Sequence, residues 1–169
     1  MMKGNRLSWD SDFFGYAIHK IILSHPIADI TQIEEYALQH GANLIYIFSL
    51  SLQPALSGKA DMVDTKITFR KKIVPVLDSG KKNDFNILSY SGPMNPALEK
   101  LAWESGTRSR FKTDPILKPK FKGLYSIWMK NSLERRIASE VFVCFVNDEM
   151  AGMVTVQQHN KDAKLGIIA

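Results

Sequence analysis

The sequence predicts an α/β fold built on a mixed, largely antiparallel sheet flanked by helices. Two observations lead to this prediction. A strand, a helix and a second strand follow one another between about residues 16 and 50, which is the order of a βαβ unit. Towards the other end, apolar strands at 140–146, 151–158 and 163–169 are joined by short polar connections, which are typical of antiparallel hairpins.

Residues 1–92 are predicted to form an N-terminal α/β half. It opens with an aromatic-rich turn at 7–15 and a strand at 16–23. A helix is predicted next, because Asp29 can cap its start, apolar residues follow at helical spacing and Gly41 can end it. Further strands are predicted at 43–50, 62–77 and 85–90, and the polar stretch near residue 92 marks the boundary.

Residues 93–169 are predicted to form a second half with two helices and the three hairpin strands. The first helix runs from the cap Asn95 to Gly106, which suits its end. An irregular loop with two prolines leads to residue 122, and a second helix is predicted at 123–137. No internal repeat or low-complexity tract is visible.

Composition indicates a globular protein able to bury a sizeable core, with 169 residues of which 45% are hydrophobic. A single cysteine, Cys144, lies in an apolar run and cannot form an internal disulfide, which favours a reducing, cytoplasmic setting. There is no signal-peptide pattern and no apolar run near the roughly 20 residues of a membrane span, so no membrane insertion is expected. The four histidines are scattered singly, and no metal site is predicted.

A net charge of +5 and a pI near 9.3 are compatible with nucleic acid, an acidic membrane surface or a small anionic ligand. Much of the positive charge lies in two clusters, at 70–82 and 108–122. No nucleic-acid-binding motif accompanies them, so nucleic acid is not an expected partner. A small anionic ligand and a merely solvated basic face stay open as alternatives.

The second basic cluster and the helix after it hold the candidate site residues. Arg110 offers a planar fork of donors for phosphate or carboxylate oxygens, and Asp114 can accept from a hydroxyl or attract an amine. The rings of Phe111, Tyr125 and Trp128 can provide flat surfaces for a base or a sugar. The alternative is structural: aromatic rings in the core and an Arg110–Asp114 ion pair.

Three short patterns occur in order along the chain: Trp9-Asp10-Ser11-Asp12-Phe13-Phe14-Gly15, Met62-Val63-Asp64-Thr65-Lys66-Ile67-Thr68-Phe69, and Ser109-Arg110-Phe111 with Asp114 and Leu124-Tyr125-Ser126-Ile127-Trp128. With the order helix, loop, helix and three antiparallel strands, they resemble the dTDP-fucosamine acetyltransferases and related nucleotide-sugar N-acetyltransferases. These enzymes belong to the GNAT superfamily of acyl-CoA-dependent N-acyltransferases. The resemblance covers nearly the whole chain.

The resemblance implies a GNAT-like fold in which 93–169 is the first half of the acyltransferase core. It implies acetyl transfer from acetyl-CoA, as co-substrate, to the amine of a nucleotide-linked amino sugar in bacterial surface-polysaccharide (lipopolysaccharide) synthesis. The implied substrate-binding residues are Arg110, Phe111, Asp114, Tyr125 and Trp128. The implied acetyl-CoA-binding strand is Leu165, Gly166, Ile167, Ile168 and Ala169, because related enzymes hold the pantetheine arm against the backbone of this strand.

The family's glycine-rich pyrophosphate loop, Arg/Gln-x-x-Gly-x-Gly/Ala, has no counterpart in the 169 residues. We therefore expect a chain truncated before that loop, a second chain that completes the site, or a domain with another purpose, and favour truncation. No catalytic acid or base is assigned. The open edge at 165–169 predicts a homo-oligomer or edge-strand pairing. The alternative function is a non-catalytic binding or scaffold module that keeps an anionic-ligand cleft.

Overall fold

The computed structural model describes residues 2–65, 69–72 and 85–169. Within them the fold is mixed α/β, with two sheets and five α-helices. The strands are β1 (Met2–Arg6), β2 (Ile18–Leu23), β3 (Leu44–Ser49), β4 (Asn86–Ser89), β5 (Glu140–Val146), β6 (Glu149–His159) and β7 (Asp162–Ile168). The helices are α1 (Ser8–Phe14), α2 (Thr31–His40), α3 (Pro96–Ser105), α4 (Arg110–Thr113) and α5 (Phe121–Leu133). Short 3₁₀ turns lie at Pro54–Leu56 and Lys118–Lys120.

The chain divides into two units, Met1–Val63 and Asp64–Ala169. This division differs from the predicted boundary near residue 92. The difference arises from β4, which pairs antiparallel with β5 of the second unit, so that residues before 92 belong to the same sheet as the C-terminal strands.

The first unit contains the predicted βαβ arrangement. β2 and β3 are parallel and are connected through α2, while β1, which the sequence analysis did not predict, pairs antiparallel with β2 at the sheet edge. The buried side chains of Ile21, Leu23 and Ile33 hold α2 on the sheet. Gly41 ends α2 in the left-handed conformation, as predicted, whereas the N-cap is Ile30 and not Asp29. Asp29 lies one residue earlier, and its carboxylate accepts a hydrogen bond from the Thr31 N–H at 2.9 Å.

Residues 7–15 form helix α1 where a turn was predicted. The Ser11 hydroxyl donates to the Leu7 carbonyl oxygen and accepts from the Ile18 N–H, which joins the helix to β2. Gly15, at φ 80°, supplies the left-handed residue that ends the helix. The aromatic residues of α1 differ in burial. Phe14 is buried, whereas Trp9 is 45% exposed and stacks on Phe13.

The second unit has a four-stranded sheet in the order β4-β5-β6-β7, with every pair antiparallel. The three predicted hairpin strands are present, and β6 begins two residues earlier than expected. Helix α3 contacts α5, and α5 contacts β5. The core between these helices and the sheet is fully buried and includes Leu98, Leu124, Met129, Val141 and Val143.

Three further predictions differ from the structure. The irregular loop predicted before residue 122 contains α4 and a 3₁₀ turn, because Pro119 suits the first turn of a helix as well as a loop. The second helix of this unit begins at Phe121 and ends at Leu133, four residues earlier than predicted. Of the strand predicted at 62–77, residues 62–65 and 69–72 form no strand, and the rest lies outside the described residues, as does the turn predicted at 79–84.

None of the helices in the described ranges is long and apolar enough to pass through a membrane.

Candidate functional site

The segment between α3 and α5 is ordered by local hydrogen bonds. Asn95 caps α3 through its side chain, which accepts from the Leu98 N–H at 3.0 Å. After α3 ends, the Ser109 hydroxyl donates to the Gly106 carbonyl oxygen at 2.8 Å. One turn later, the Asp114 carboxylate accepts from the Ile116 N–H at 2.8 Å. Arg110 and Phe111 therefore project from a short helix that is fixed at both ends.

Gly106 allows the Tyr125 ring of α5 to lie directly against the end of α3. A Cβ at this glycine would lie 2.3 Å from Tyr125 Cζ and 2.7 Å from an edge carbon of Phe121. The φ of Gly106 is −97°, which any residue can adopt. Glycine is needed here for the close approach of a ring, and its conformational freedom is not used.

Arg110 lies between an aromatic ring and a carboxylate. Its guanidinium carbon is 4.3 Å from the centre of the Phe111 ring, within cation–π range. Its Nη1 is 4.0 Å from Oδ2 of Asp64, and the two side chains are 22% and 41% exposed. This pairing differs from the structural alternative considered above, in which Arg110 pairs with Asp114. The guanidinium is thus held in place while part of it still faces solvent.

Four aromatic rings form a continuous row beneath Arg110. Phe111 meets Trp128 edge-on at 5.4 Å between ring centres, Trp128 meets Tyr125 at 5.1 Å, and Tyr125 meets Phe121 at 5.0 Å. Contacts of this geometry stabilise beyond the area that they bury. Trp128 is half-buried, whereas the other three rings are buried. Trp128 is therefore the ring of this row with the most surface for a ligand.

Tyr125 is held in its protonated form by its surroundings. Burial raises the pKa of its hydroxyl, while a hydrogen bond with the Ser109 side chain and the positive charge of Arg110 oppose the shift, and the Asp64 carboxylate adds to it. At neutral pH the hydroxyl is a hydrogen-bond donor within this cluster. The geometry gives Tyr125 no assignment as a proton donor to a leaving group.

A second layer of polar contacts fixes α3 to α5 behind the aromatic row. The indole N–H of Trp103 donates to the Ser126 hydroxyl at 3.0 Å, and that hydroxyl donates to Glu99 at 2.7 Å. The Trp103 ring also lies under the Lys122 ammonium at 4.2 Å. Because Ser126 is next to Tyr125, these bonds restrict the position of the tyrosine along α5.

The predicted cofactor strand is β7, and Ala169 follows it. Beyond a bulge, the Ile167 N–H bonds to the Thr155 hydroxyl at 2.9 Å, and Ala169 exchanges both backbone hydrogen bonds with Met153. β7 thus pairs with β6 through its last residues. Its other edge has no strand partner within the part of the chain that the structure describes. Whether backbone groups on that edge bind a cofactor stays a prediction.

The structure brings together most of the predicted substrate residues. Arg110, Phe111, Tyr125 and Trp128 form one cluster, and Asp114 closes the turn beside it. The sequence analysis left Asp64 without a role and did not select Ser109 or Gly106. The signal for Ser109 was present, since it precedes Arg110 in the quoted pattern. Gly106 was interpreted only as a helix stop. Whether these residues bind a substrate stays a prediction.

Within the described ranges, no group of three or more His, Cys, Asp or Glu side chains is arranged to hold a metal ion. Cys144 is a free, half-buried thiol on β5. In comparisons with known proteins, no protein-family model matches the chain and no curated protein matches it significantly.

Proposed function

We propose that this chain is a GNAT-type N-acetyltransferase whose acceptor is the amine of a nucleotide-linked amino sugar and whose donor is acetyl-CoA. The observation that carries the proposal is the convergence of two separated sequence patterns. Oδ2 of Asp64, in the second pattern, lies 4.0 Å from Nη1 of Arg110, in the third, and both charges influence the pKa of Tyr125. Residues chosen for a resemblance to one enzyme family thus meet at one place in the second unit.

The topology of the second unit supports the same proposal. Helix α3, the α4 segment, α5 and then the antiparallel strands β5, β6 and β7 follow in the order that the resemblance implies. β7 offers its backbone on one edge, as a strand that holds the pantetheine arm must. The function itself rests on the site, because one fold serves many activities.

The proposed reaction needs a neutral amine beside the thioester. The amine nitrogen attacks the carbonyl carbon, the C–N bond forms and the C–S bond breaks, and the amine proton lost balances the proton gained by the thiolate. In this scheme Arg110 binds phosphate oxygens of the acceptor, since its fork of donors matches them. Trp128 offers its ring to the sugar or base. We assign no residue to the proton transfers.

The first test is calorimetric titration of acetyl-CoA into the protein, with and without a panel of UDP- and dTDP-linked amino sugars. Release of free coenzyme A thiol and mass spectrometry of the sugar then report transfer. We expect saturable acetyl-CoA binding and an acetamido product with at least one sugar. The proposed acceptor class would be contradicted if the folded protein bound acetyl-CoA but transferred the acetyl group to none of the tested nucleotide sugars. Absence of acetyl-CoA binding would overturn the proposal that the chain is an acetyltransferase.

A matched pair of variants tests the site. Arg110→Lys keeps the positive charge but removes the planar fork, so we expect the affinity for the nucleotide sugar to fall by about tenfold. Arg136→Lys is the control, because Arg136 is exposed and pairs with Glu134 outside the cluster. Equal losses in the two variants would remove Arg110 from the proposed site. Nucleotide-sugar binding without acetyl-CoA binding would favour the binding-module alternative.

A further inference from the structure

The α3–α5 connection contains a second feature that the Arg110 cluster does not use. An open concavity of about 440 Å³ is lined by Lys112, Pro115, Lys118, Pro119, Phe121 and Lys122. Its volume lies in the range of small-molecule sites. We refer to it as the lysine cleft.

Two of its three lysines are held in place by aromatic rings. The Lys112 ammonium lies 5.1 Å from the centre of the Phe121 ring, and the Lys122 ammonium lies 4.2 Å from the centre of the Trp103 ring. Lys118 begins a 3₁₀ turn in which Pro119 fixes the backbone. All three lysines line the cleft, and a ring or a proline restricts the position of each.

Positive charge in the cleft is not neutralised from within the described part of the chain. No carboxylate there comes within 4.0 Å of the Lys112, Lys118 or Lys122 ammonium. Asp114 is the nearest acidic residue in sequence, and one of its oxygens is bonded to the Ile116 N–H. The first turn of α5 carries no acidic side chain. Three lysines that line one concavity, without a carboxylate partner among the described residues, favour an anion of high charge density.

We propose that the lysine cleft binds a diphosphate group, with the two exposed prolines against the organic part of the ligand. A diphosphate carries several negative charges over a short distance, which matches three lysines around a small cavity. A nucleic acid would need a longer basic stripe and stacking rings, whereas Phe121, the one aromatic residue among the described residues that line this cleft, is 3% exposed. Two ligands contain such a group, a nucleoside diphosphate and coenzyme A. The choice of these two ligands rests on the proposed function.

The cleft and the aromatic row share one residue. Phe121 lines the cleft on one side and contacts Tyr125 on the other, with 5.0 Å between ring centres. A diphosphate in the cleft would therefore lie next to the Phe121 end of the aromatic row. This proximity makes the cleft a suitable anchor for the phosphate end of a substrate.

The test is calorimetric titration with inorganic pyrophosphate, in the absence of acetyl-CoA and of any sugar. We expect the variant Lys112→Gln/Lys118→Gln/Lys122→Gln to bind at least about tenfold more weakly than the unsubstituted chain. The control Lys3→Gln/Lys59→Gln/Lys161→Gln removes the same charge from exposed lysines outside the cleft, and we expect a change under about threefold. Circular dichroism checks that each variant is folded.

The single variant Lys118→Gln keeps the proposal falsifiable if the triple variant does not fold. Its substitution leaves the ring contacts of Lys112 and Lys122 in place. We expect a loss of about threefold or more. Equal affinities in the cleft and control variants, or no pyrophosphate binding at millimolar concentration, would overturn the inference. The titrations are then repeated with dTDP and with coenzyme A. The ligand whose affinity falls in the cleft variant but not in the control variant is the source of the diphosphate. Since no acetyl transfer is measured, failure of the proposed enzyme activity would leave this result intact.

Discussion

Individual residues in this chain act through close packing more than through exposed charge. Tyr125 illustrates the point. Its ring packs against Gly106 and against the rings of Phe121 and Trp128, and its hydroxyl contacts Ser109. Arg110 is similar, since its guanidinium lies over Phe111 and beside Asp64. At this scale the candidate site is a packed aromatic cluster with one partly exposed cation.

Gly106→Ala tests that packing. The new methyl group would overlap the Tyr125 ring, and we expect the free energy of unfolding to fall by about 1–3 kcal/mol. Urea denaturation followed by circular dichroism measures the change. The control is Gly123→Ala at an exposed position in α5, where alanine's higher helix propensity should leave stability unchanged or slightly increased. Equal stability of the two variants would show that the close contact does not constrain the fold.

We expect His19 to make the stability of the first unit depend on pH. It is buried on β2 and its Nδ1 lies 3.0 Å from the Tyr36 hydroxyl. Burial lowers the pKa of His19, and His40 of α2 and Arg6 of β1 add to the shift. The unfolded chain therefore takes up a proton near pH 6.5 that the folded chain resists, so stability decreases as pH falls through that range.

We expect His19→Gln to flatten this pH dependence. The measurement is the free energy of unfolding of the unsubstituted chain and the variant at pH 7.5 and at pH 5.5. The loss between the two pH values should be smaller in the variant, because it lacks the group that protonates on unfolding. His159→Gln, at an exposed position in β6, is the control and should retain the full loss. An identical pH dependence in the His19 variant would contradict the prediction.

At the scale of elements, the bulge between β6 and β7 shapes the strand that is proposed to meet acetyl-CoA. Two residues of β7, Gly166 and Ile167, face the single residue Thr155. A Cβ at Gly166 would lie 2.5 Å from the Thr155 hydroxyl oxygen, so glycine is required by this contact. The same hydroxyl accepts from the Ile167 N–H, which the ladder leaves unpaired.

Thr155→Val is expected to destabilise the second unit by about 1–3 kcal/mol. Valine keeps the shape of threonine, but the partly buried Ile167 N–H would lose its acceptor, the hydroxyl of the buried Thr155. Urea denaturation gives the change in stability, and amide hydrogen exchange at Ile167 should become faster. Thr155→Ser retains the hydroxyl and should preserve the slow exchange. Unchanged exchange in the valine variant would mean that the hydroxyl does not hold the bulge.

At the scale of the whole molecule, the division into two units is the main finding. Each unit has its own sheet, and the candidate site, the lysine cleft and β7 all belong to the second. We expect a fragment spanning residues 64–169 to fold cooperatively and to retain pyrophosphate binding. Thermal denaturation and calorimetry of the fragment test this, with the full chain as reference. A fragment without a cooperative transition would show that the second unit needs the first to fold.

The sequence indicated which residues close together in the chain would lie near one another, but it did not indicate their distant partners. The pattern from Ser109 to Asp114 and the helical spacing of Tyr125 and Trp128 placed these residues near one another. Asp64, the partner of Arg110, lies 46 positions earlier in the chain, and no local pattern joins the two. Gly106 was interpreted as a helix stop because its close contact with α5 depends on two helices packing together.

The sequence by itself determined the kinds and order of most elements, because hydrophobic periodicity, caps and turn residues act over a few neighbouring positions. The βαβ order, the start of α3 and the three C-terminal strands all follow from such local signals. Only the tertiary structure decided that β4 joins the C-terminal sheet, that Arg110 meets Asp64 and that three lysines surround one cleft. Those arrangements depend on which surfaces pack together, and burial and pairing between distant segments have no signature in any short stretch of chain.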